Sequence, residues 1–172
     1  GKTSVLEQLA KEKNMDFLKL NLSQISIEDF IGFPLSEFKM CKGEECLWVS
    51  ERTINTYIDL GYTYDGESRM GYAVPKWIVN REKPMVLLLD DFNRGALGMI
   101  QATMEIVDRQ QYVSWELPKG STVILSNNPD NSEYFVSSMD SAHQTRYLNF
   151  HMKFDTDTWA ACAEANKIDG RC

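Results

Sequence analysis

Met85-Val86-Leu87-Leu88-Leu89-Asp90-Asp91 is the stretch on which the reading of this chain turns. Five consecutive apolar residues leave no polar face, so a strand here must be covered on both sides, as in a parallel sheet between layers of helices. Two carboxylates close the run. At the carboxyl end of such a strand they stand on the sheet edge where open α/β folds bind ligands. A strand that merely stops at turn residues accounts for one Asp more readily than for two. Outward from this run, Ser121–Leu125 reads as a second buried strand, ending in Ser126-Asn127-Asn128-Pro129, and Phe17–Leu22 and Tyr147–Phe154 as two more. Helical spacing joins Val5, Leu6, Leu9 and Ala10. It recurs over Ala96–Arg109, with Leu97, Ile100, Met104 and Val107 on one stripe, and over Thr156–Lys167, with Trp159 and Ala163 inward. Gln111–Pro118 reads as a small β excursion. Ser23–Pro84 reads as a long irregular stretch holding two helices, Val49–Leu60 and a short one around Pro75–Arg81, with a strand-and-turn excursion over Gly61–Gly66. Strands alternating with helices imply a layered α/β domain with Met85–Leu89 and Ser121–Leu125 adjacent in one sheet.

The totals narrow the class. With 172 residues the chain has room for one domain with a substantial core. A formal charge of −7 argues against a broad nucleic-acid surface, which needs clustered Lys and Arg. No apolar run reaches the length of a membrane span and no signal-peptide pattern is present, so a cytoplasmic protein is expected. Cys41 and Cys46 are spaced Cys-x4-Cys. A zinc site needs two further ligands, and the two His residues, His143 and His151, lie in a region assigned to other work, so the pair is expected to be reduced thiols on a surface loop.

Four features carry chemistry. Gly1-Lys2-Thr3-Ser4 opening a helix matches the second half of a phosphate-binding loop, Gly-x4-Gly-Lys-[Ser/Thr]. Backbone N–H groups at a helix start hold phosphate oxygens, the Lys reaches the β/γ phosphates and the Thr hydroxyl holds Mg²⁺. Gly1, Lys2, Thr3 and Ser4 are therefore the candidate nucleotide-binding residues. A chance tripeptide with a surface lysine is the plainer alternative for this feature alone. Asp90 is the candidate metal ligand with Thr3, and Asp91 the carboxylate facing the attacking water. Asn128, past the next buried strand, is placed to orient that water, although Asn-Asn-Pro-Asp is also ordinary turn chemistry. Arg146 is the candidate for stabilising phosphate charge in a neighbouring subunit.

The order of these features resembles the AAA+ superfamily of P-loop ATPases, in its MoxR-like, helix-2-insert branch, and the resemblance runs nearly end to end. Asp29-Phe30-Ile31-Gly32 resembles the Asp-Leu-Ile-Gly signature before that branch's insert. Leu88-Leu89-Asp90-Asp91-Phe92-Asn93-Arg94 is similar to its Leu-Asp-Glu-Ile-Asn-Arg run, with Asp91 where the family has Glu, a departure that bears on hydrolysis more than on binding. Asn128-Pro129 matches its Asn-Pro, and Met139-Asp140-Ser141-Ala142 through Arg146-Tyr147 its arginine-finger segment. The resemblance implies a three-layer, mostly parallel fold with an insert at roughly residues 33–75. It also implies a first central strand and a C-terminal helical lid that are not in this sequence, so the chain is expected to be part of a longer protein. Further implied are ATP and Mg²⁺ as cofactors, a ring oligomer such as a hexamer meeting through Arg146, and a protein client or von Willebrand factor A-type partner. Two alternatives stay open. One is a GTP-dependent restriction-type motor, whose corresponding run also ends Asn-Arg-Gly, as Asn93-Arg94-Gly95 does here; the other is a non-hydrolysing P-loop scaffold. Trp48, Tyr62 and Tyr64 in the insert are read as packing on their own domain rather than on a client.

Overall fold

A computed structural model describes residues 2–127, 145, 147–150, 152, 155–165, 167 and 168. In chain order the elements are α1 (Lys2–Glu12), β1 (Asp16–Asn21), α2 (Ile27–Ile31), β2 (Phe33–Lys42), β3 (Glu45–Ser50), α3 (Ile54–Asp59) and β4 (Thr63–Ala73). They continue with β5 (Met85–Asp90), α4 (Leu97–Arg109), the short strands β6 (Gln111–Tyr112) and β7 (Trp115–Glu116), β8 (Thr122–Ser126) and α5 (Thr156–Ala165).

The apolar run forms the centre of a three-stranded parallel sheet in the order β1-β5-β8. Met85 to Leu89 are all buried. Met85, Leu87 and Leu89 join the main core with Met99, Ile100 and Ile106 of α4, while α1 packs on β1 and β5 with its buried Ala10. Helices thus cover the sheet, and the adjacency of Met85–Leu89 with Ser121–Leu125 holds. α4 presents a different stripe from the expected one: Met99, Ile100, Thr103 and Ile106 face inward, and Leu97 is 71% exposed. Leu97 opens the helix on its solvent side, while Met99 and Ile100 of the same turn enter the core. Thr103 tolerates full burial because its hydroxyl donates to the Met99 carbonyl at 2.9 Å.

The stretch expected to be irregular is a second sheet, antiparallel, in the order β3-β2-β4. The expected Val49–Leu60 helix begins instead as β3, and only Ile54–Asp59 is α-helical; Val49 is buried in the sheet. The residues around Pro75–Arg81 form turns, not a helix. Cys41 and Cys46 stand directly opposite each other in the β2–β3 register and are joined by a disulfide, so the reading as reduced thiols on a loop is corrected. Cross-strand pairing brings the two sulfurs together, which the linear spacing does not show. Tyr64 packs edge-on to Phe38, Tyr62 to Tyr57, and Arg69 lies over the Trp48 ring at 4.3 Å, so the insert's aromatics do pack within their own domain.

Towards the end of the chain the fourth expected strand does not form among the described residues. Tyr147–Phe150 and Met152 are irregular, with Leu148 and Phe150 more than four-fifths exposed. Trp159, expected inward, is half-exposed, and α5 buries no residue. An apolar run becomes a strand only when a partner edge and a covering layer receive it, and the described residues supply neither here. No helix among them is long and apolar enough to cross a membrane.

A tryptophan clamp joins the two sheets. Trp77 Nε1 donates to the carbonyls of Asp29 and Phe30 at 3.1 and 3.2 Å, and Trp115 Nε1 donates to that of Ile31 at 3.1 Å. The two indoles meet edge-on with centroids 4.8 Å apart. These bonds satisfy the carbonyls left open where short α2 ends. Ser26 caps its other end, its hydroxyl accepting from Asp29 N–H. The chain leaves α2 through Gly32 at φ +113°, where an added Cβ would collide with the Ala73 carbonyl of β4. Both the conformation and the space demand glycine. Gly32→Ala should therefore lower unfolding free energy by more than about 2 kcal/mol, read as a fall in the urea midpoint at unchanged slope.

Candidate functional site

Parallel strands deliver their side chains to one edge, and β5 delivers Asp90 and Asp91 there. Asp90 lies opposite Asn21 of β1 and Ser126 of β8 in the ladder. Its carboxylate meets Lys19 Nζ at 2.6 Å and is largely buried. Ser126 Oγ approaches the same carboxylate without completing a well-aligned hydrogen bond. Burial pushes the Asp90 carboxyl up, but Lys19, Ser126 and the Asp91 backbone N–H outweigh it and hold the group below its ordinary value. It is an anion at neutral pH.

Asp91 turns the chain. It adopts the left-handed conformation, φ 53° and ψ 37°, which Asp accepts more readily than most residues. The 3-10 turn Phe92–Arg94 follows, with Phe92 and Asn93 buried beneath it. Asn21 Nδ2 donates to Asp91 Oδ2 at 3.3 Å, while Asn21 Oδ1 accepts from the Ser23 amide and hydroxyl. The Asp91 carboxylate is thus steadied at the strand tip, beside but not on Asp90's partners. Tyr147 packs edge-on to Phe92, with ring centroids 6.5 Å apart.

Lys2 reaches the same edge from the start of α1. Its Nζ donates to the Asn127 carbonyl, 2.9 Å away, one residue past β8. Thr3 and Ser4 share that first helical turn, Thr3 partly buried and Ser4 exposed. The structure therefore brings Lys2, Asp90 and Asp91 to one sheet edge, with Thr3 and Ser4 behind Lys2. Gly1, Asn128 and Arg146 lie outside the described residues.

Sequence reasoning missed Lys19, Asn21, Ser126 and Asn127. A signal for the first two was present: Lys19 and Asn21 are polar residues at strand spacing in an otherwise apolar segment, which puts both on one face. Pairing with the acid-tipped strand required the register.

The donor set suits one kind of metal. Among the described residues no three His, Cys, Asp or Glu side chains converge as a protein-only cage. A single ionised carboxylate, with a hydroxyl in the first turn of the helix whose Lys2 reaches the same edge, is compatible with Mg²⁺, which is usually held by one or two carboxylates, waters and phosphate oxygens. Asp90 and Thr3 would hold it. An open depression of about 530 Å³ lies elsewhere, lined by residues including Glu28, Phe33, Trp77 and Arg81. It contains none of the edge residues.

Because Asp90 is more acidic folded than unfolded, its ionised form contributes stability that is complete above the ordinary value of 3.8 and is lost as pH falls through the lowered one. Asp90→Asn should flatten the acid limb of the stability profile below that pH. Urea midpoints measured across the acid range check it, and an unchanged acid limb would contradict the assignment.

Set against protein-family models, curated proteins and solved structures, the chain matches none of them.

Proposed function

We propose that this chain is the nucleotide-handling core of a Mg²⁺-dependent ATPase of the AAA+ type, in the MoxR-like branch, acting in an oligomer on a protein partner. The observation that carries the proposal is the meeting of Lys2, from the start of α1, with the tips of β5 and β8 at one sheet edge. A phosphate-binding lysine and a metal-binding acid are useful only if remote segments bring them to one place, and that edge is where α/β sheets bind ligands.

In this reading Gly1, Lys2, Thr3 and Ser4 cradle and neutralise the phosphates. Bound Mg²⁺ supplies charge neutralisation on the phosphate oxygens. Asp90, with Thr3, fixes the cation. Asp91, steadied by Asn21, accepts a proton from or orients the attacking water, and Asn128 holds that water in line. Asp91 is one methylene shorter than Glu, so its reach to the water is reduced and turnover is slower than a Glu would support. Arg146 supplies charge to the site of a neighbouring copy, which makes the active unit an oligomer.

Turnover measurements separate the roles. In the protein, Asp90→Ala should abolish Mg²⁺-dependent ATP hydrolysis, whereas Asp91→Asn should spare ATP binding while slowing hydrolysis by on the order of 10²-fold or more. Equal loss of binding and turnover in Asp91→Asn would overturn the division of labour between the acids. Arg146→Ala should lower turnover by about 10³-fold with nucleotide affinity nearly intact, and activity per subunit should rise with protein concentration. GTP turnover in preference to ATP would reject the ATPase assignment.

A further inference from the structure

Lys19 occupies a position that the ATPase reading leaves without a task. It pairs in register with Leu88, and Asp90, two residues further along β5, projects from the same face. The lysine stem spans that diagonal and places Nζ 2.6 Å from Asp90 Oδ2. α1 packs on both β1 and β5, and Lys2 at its start reaches the same sheet edge as the ion pair.

This pair combines two features. The Asp90 side chain is only 17% exposed, the least of the acids in the ion pairs of the described residues, and a partly desolvated anion gains from a counter-charge. The Lys19 side chain is 38% exposed and its charge sits at the end of four flexible carbons, so it can leave for water at small cost. The anion is held by the fold, and its partner is mobile by construction. An ammonium at 2.6 Å also fills the space a divalent cation needs beside Oδ2, since Mg²⁺ sits about 2.1 Å from its oxygens and repels a second cation at that range.

Resting on the nucleotide-site reading above, we propose that Lys19 is a positioning residue that neutralises Asp90 while no divalent cation is bound and yields it to the incoming metal. Metal capture and rupture of the Lys19–Asp90 pair are then one event. The apparent metal affinity is lower than Asp90 alone would give, because part of the binding free energy goes into displacing the lysine. Without the metal, Lys19 keeps the strand tip in its working geometry and prevents the carboxylate from recruiting another partner.

The test uses Mn²⁺ as the probe, with a non-hydrolysable ATP analogue, and free Mn²⁺ read by electron paramagnetic resonance. Lys19→Met keeps the stem and removes the charge, so Mn²⁺ affinity should tighten by about threefold or more. Lys19→Arg, a stronger and less readily displaced partner, should weaken it by about the same factor. A merely structural lysine predicts the opposite for Lys19→Met, because a loosened site binds metal less well. In metal-free protein Lys19→Met should lower the melting temperature, Mn²⁺ with the analogue should narrow that difference, and Lys19→Met combined with Asp90→Asn should recover most of it. Affinity unchanged or weakened in folded Lys19→Met overturns the proposal while leaving the ATPase reading in place. Should that variant fail to fold, unchanged affinity in Lys19→Arg overturns it equally. No uptake of Mn²⁺ with the analogue by the unaltered protein removes the nucleotide-site reading and this proposal together.

Discussion

The structure depends on β5 being dry on both faces. A strand of five buried apolar residues, flanked on each side by a parallel neighbour, is paired along both edges and presents no lateral surface to water. Only its ends can carry polar groups. The entry end is tied down by Ser121, whose hydroxyl accepts from Met85 N–H and donates to the Pro118 carbonyl. The exit end carries Asp90 and Asp91. Polar side chains of β5 are thereby confined to its ends, and the exit end is met by Lys19 and Asn21 of β1, Ser126 of β8 and Lys2 from the start of α1.

That confinement explains the electrostatics of the edge. Asp90 sits at the boundary between core and solvent, buried enough to require compensation and open enough to accept it from a side chain that retains access to water. Asp91, one residue on, has left the strand through a left-handed turn and answers to Asn21 instead. Two adjacent carboxylates, which would repel each other with their side chains side by side, are given separate partners by the alternation of the strand and the reversal of the turn. Their separate partners have a backbone cause.

The antiparallel sheet of residues 33–73 is held to this core through few residues. The exit of α2 is gripped by Trp77 and Trp115, and Gly32 lets β2 leave against the end of β4. Within the second sheet, Lys39 pairs with Asp65 and Glu67, Glu37 pairs with Arg69, and the Cys41–Cys46 disulfide closes the hairpin. Most of these contacts are exposed polar pairs worth little individually. Cohesion of that sheet rests on its ladder and on buried Met40 and Val49.

The sequence by itself determined the central sheet. Double-sided apolarity over Met85–Leu89 calls for a covered parallel strand, and a carboxylate pair after it must fall at the carboxyl edge of the sheet. Those conclusions need nothing beyond hydrophobicity and chain direction. Ser121–Leu125 pairs beside that strand as expected, but β8 is only partly buried, with Thr122 exposed. Tertiary structure decided whatever depends on register or on which layer receives a segment. Phe33–Ala73 carries mixed polarity that suits a half-exposed antiparallel sheet as readily as loops and a helix, and only strand pairing chose between them and set Cys41 opposite Cys46. The inward face of α4 was settled by where the helix meets β5, which moved the buried stripe from Leu97 and Met104 to Met99, Thr103 and Ile106. Lys19 was legible as a polar residue in an apolar strand, but its partner was not. A side chain's charge is local information, and the identity of the anion it meets is decided by which strand lies beside it and in which register.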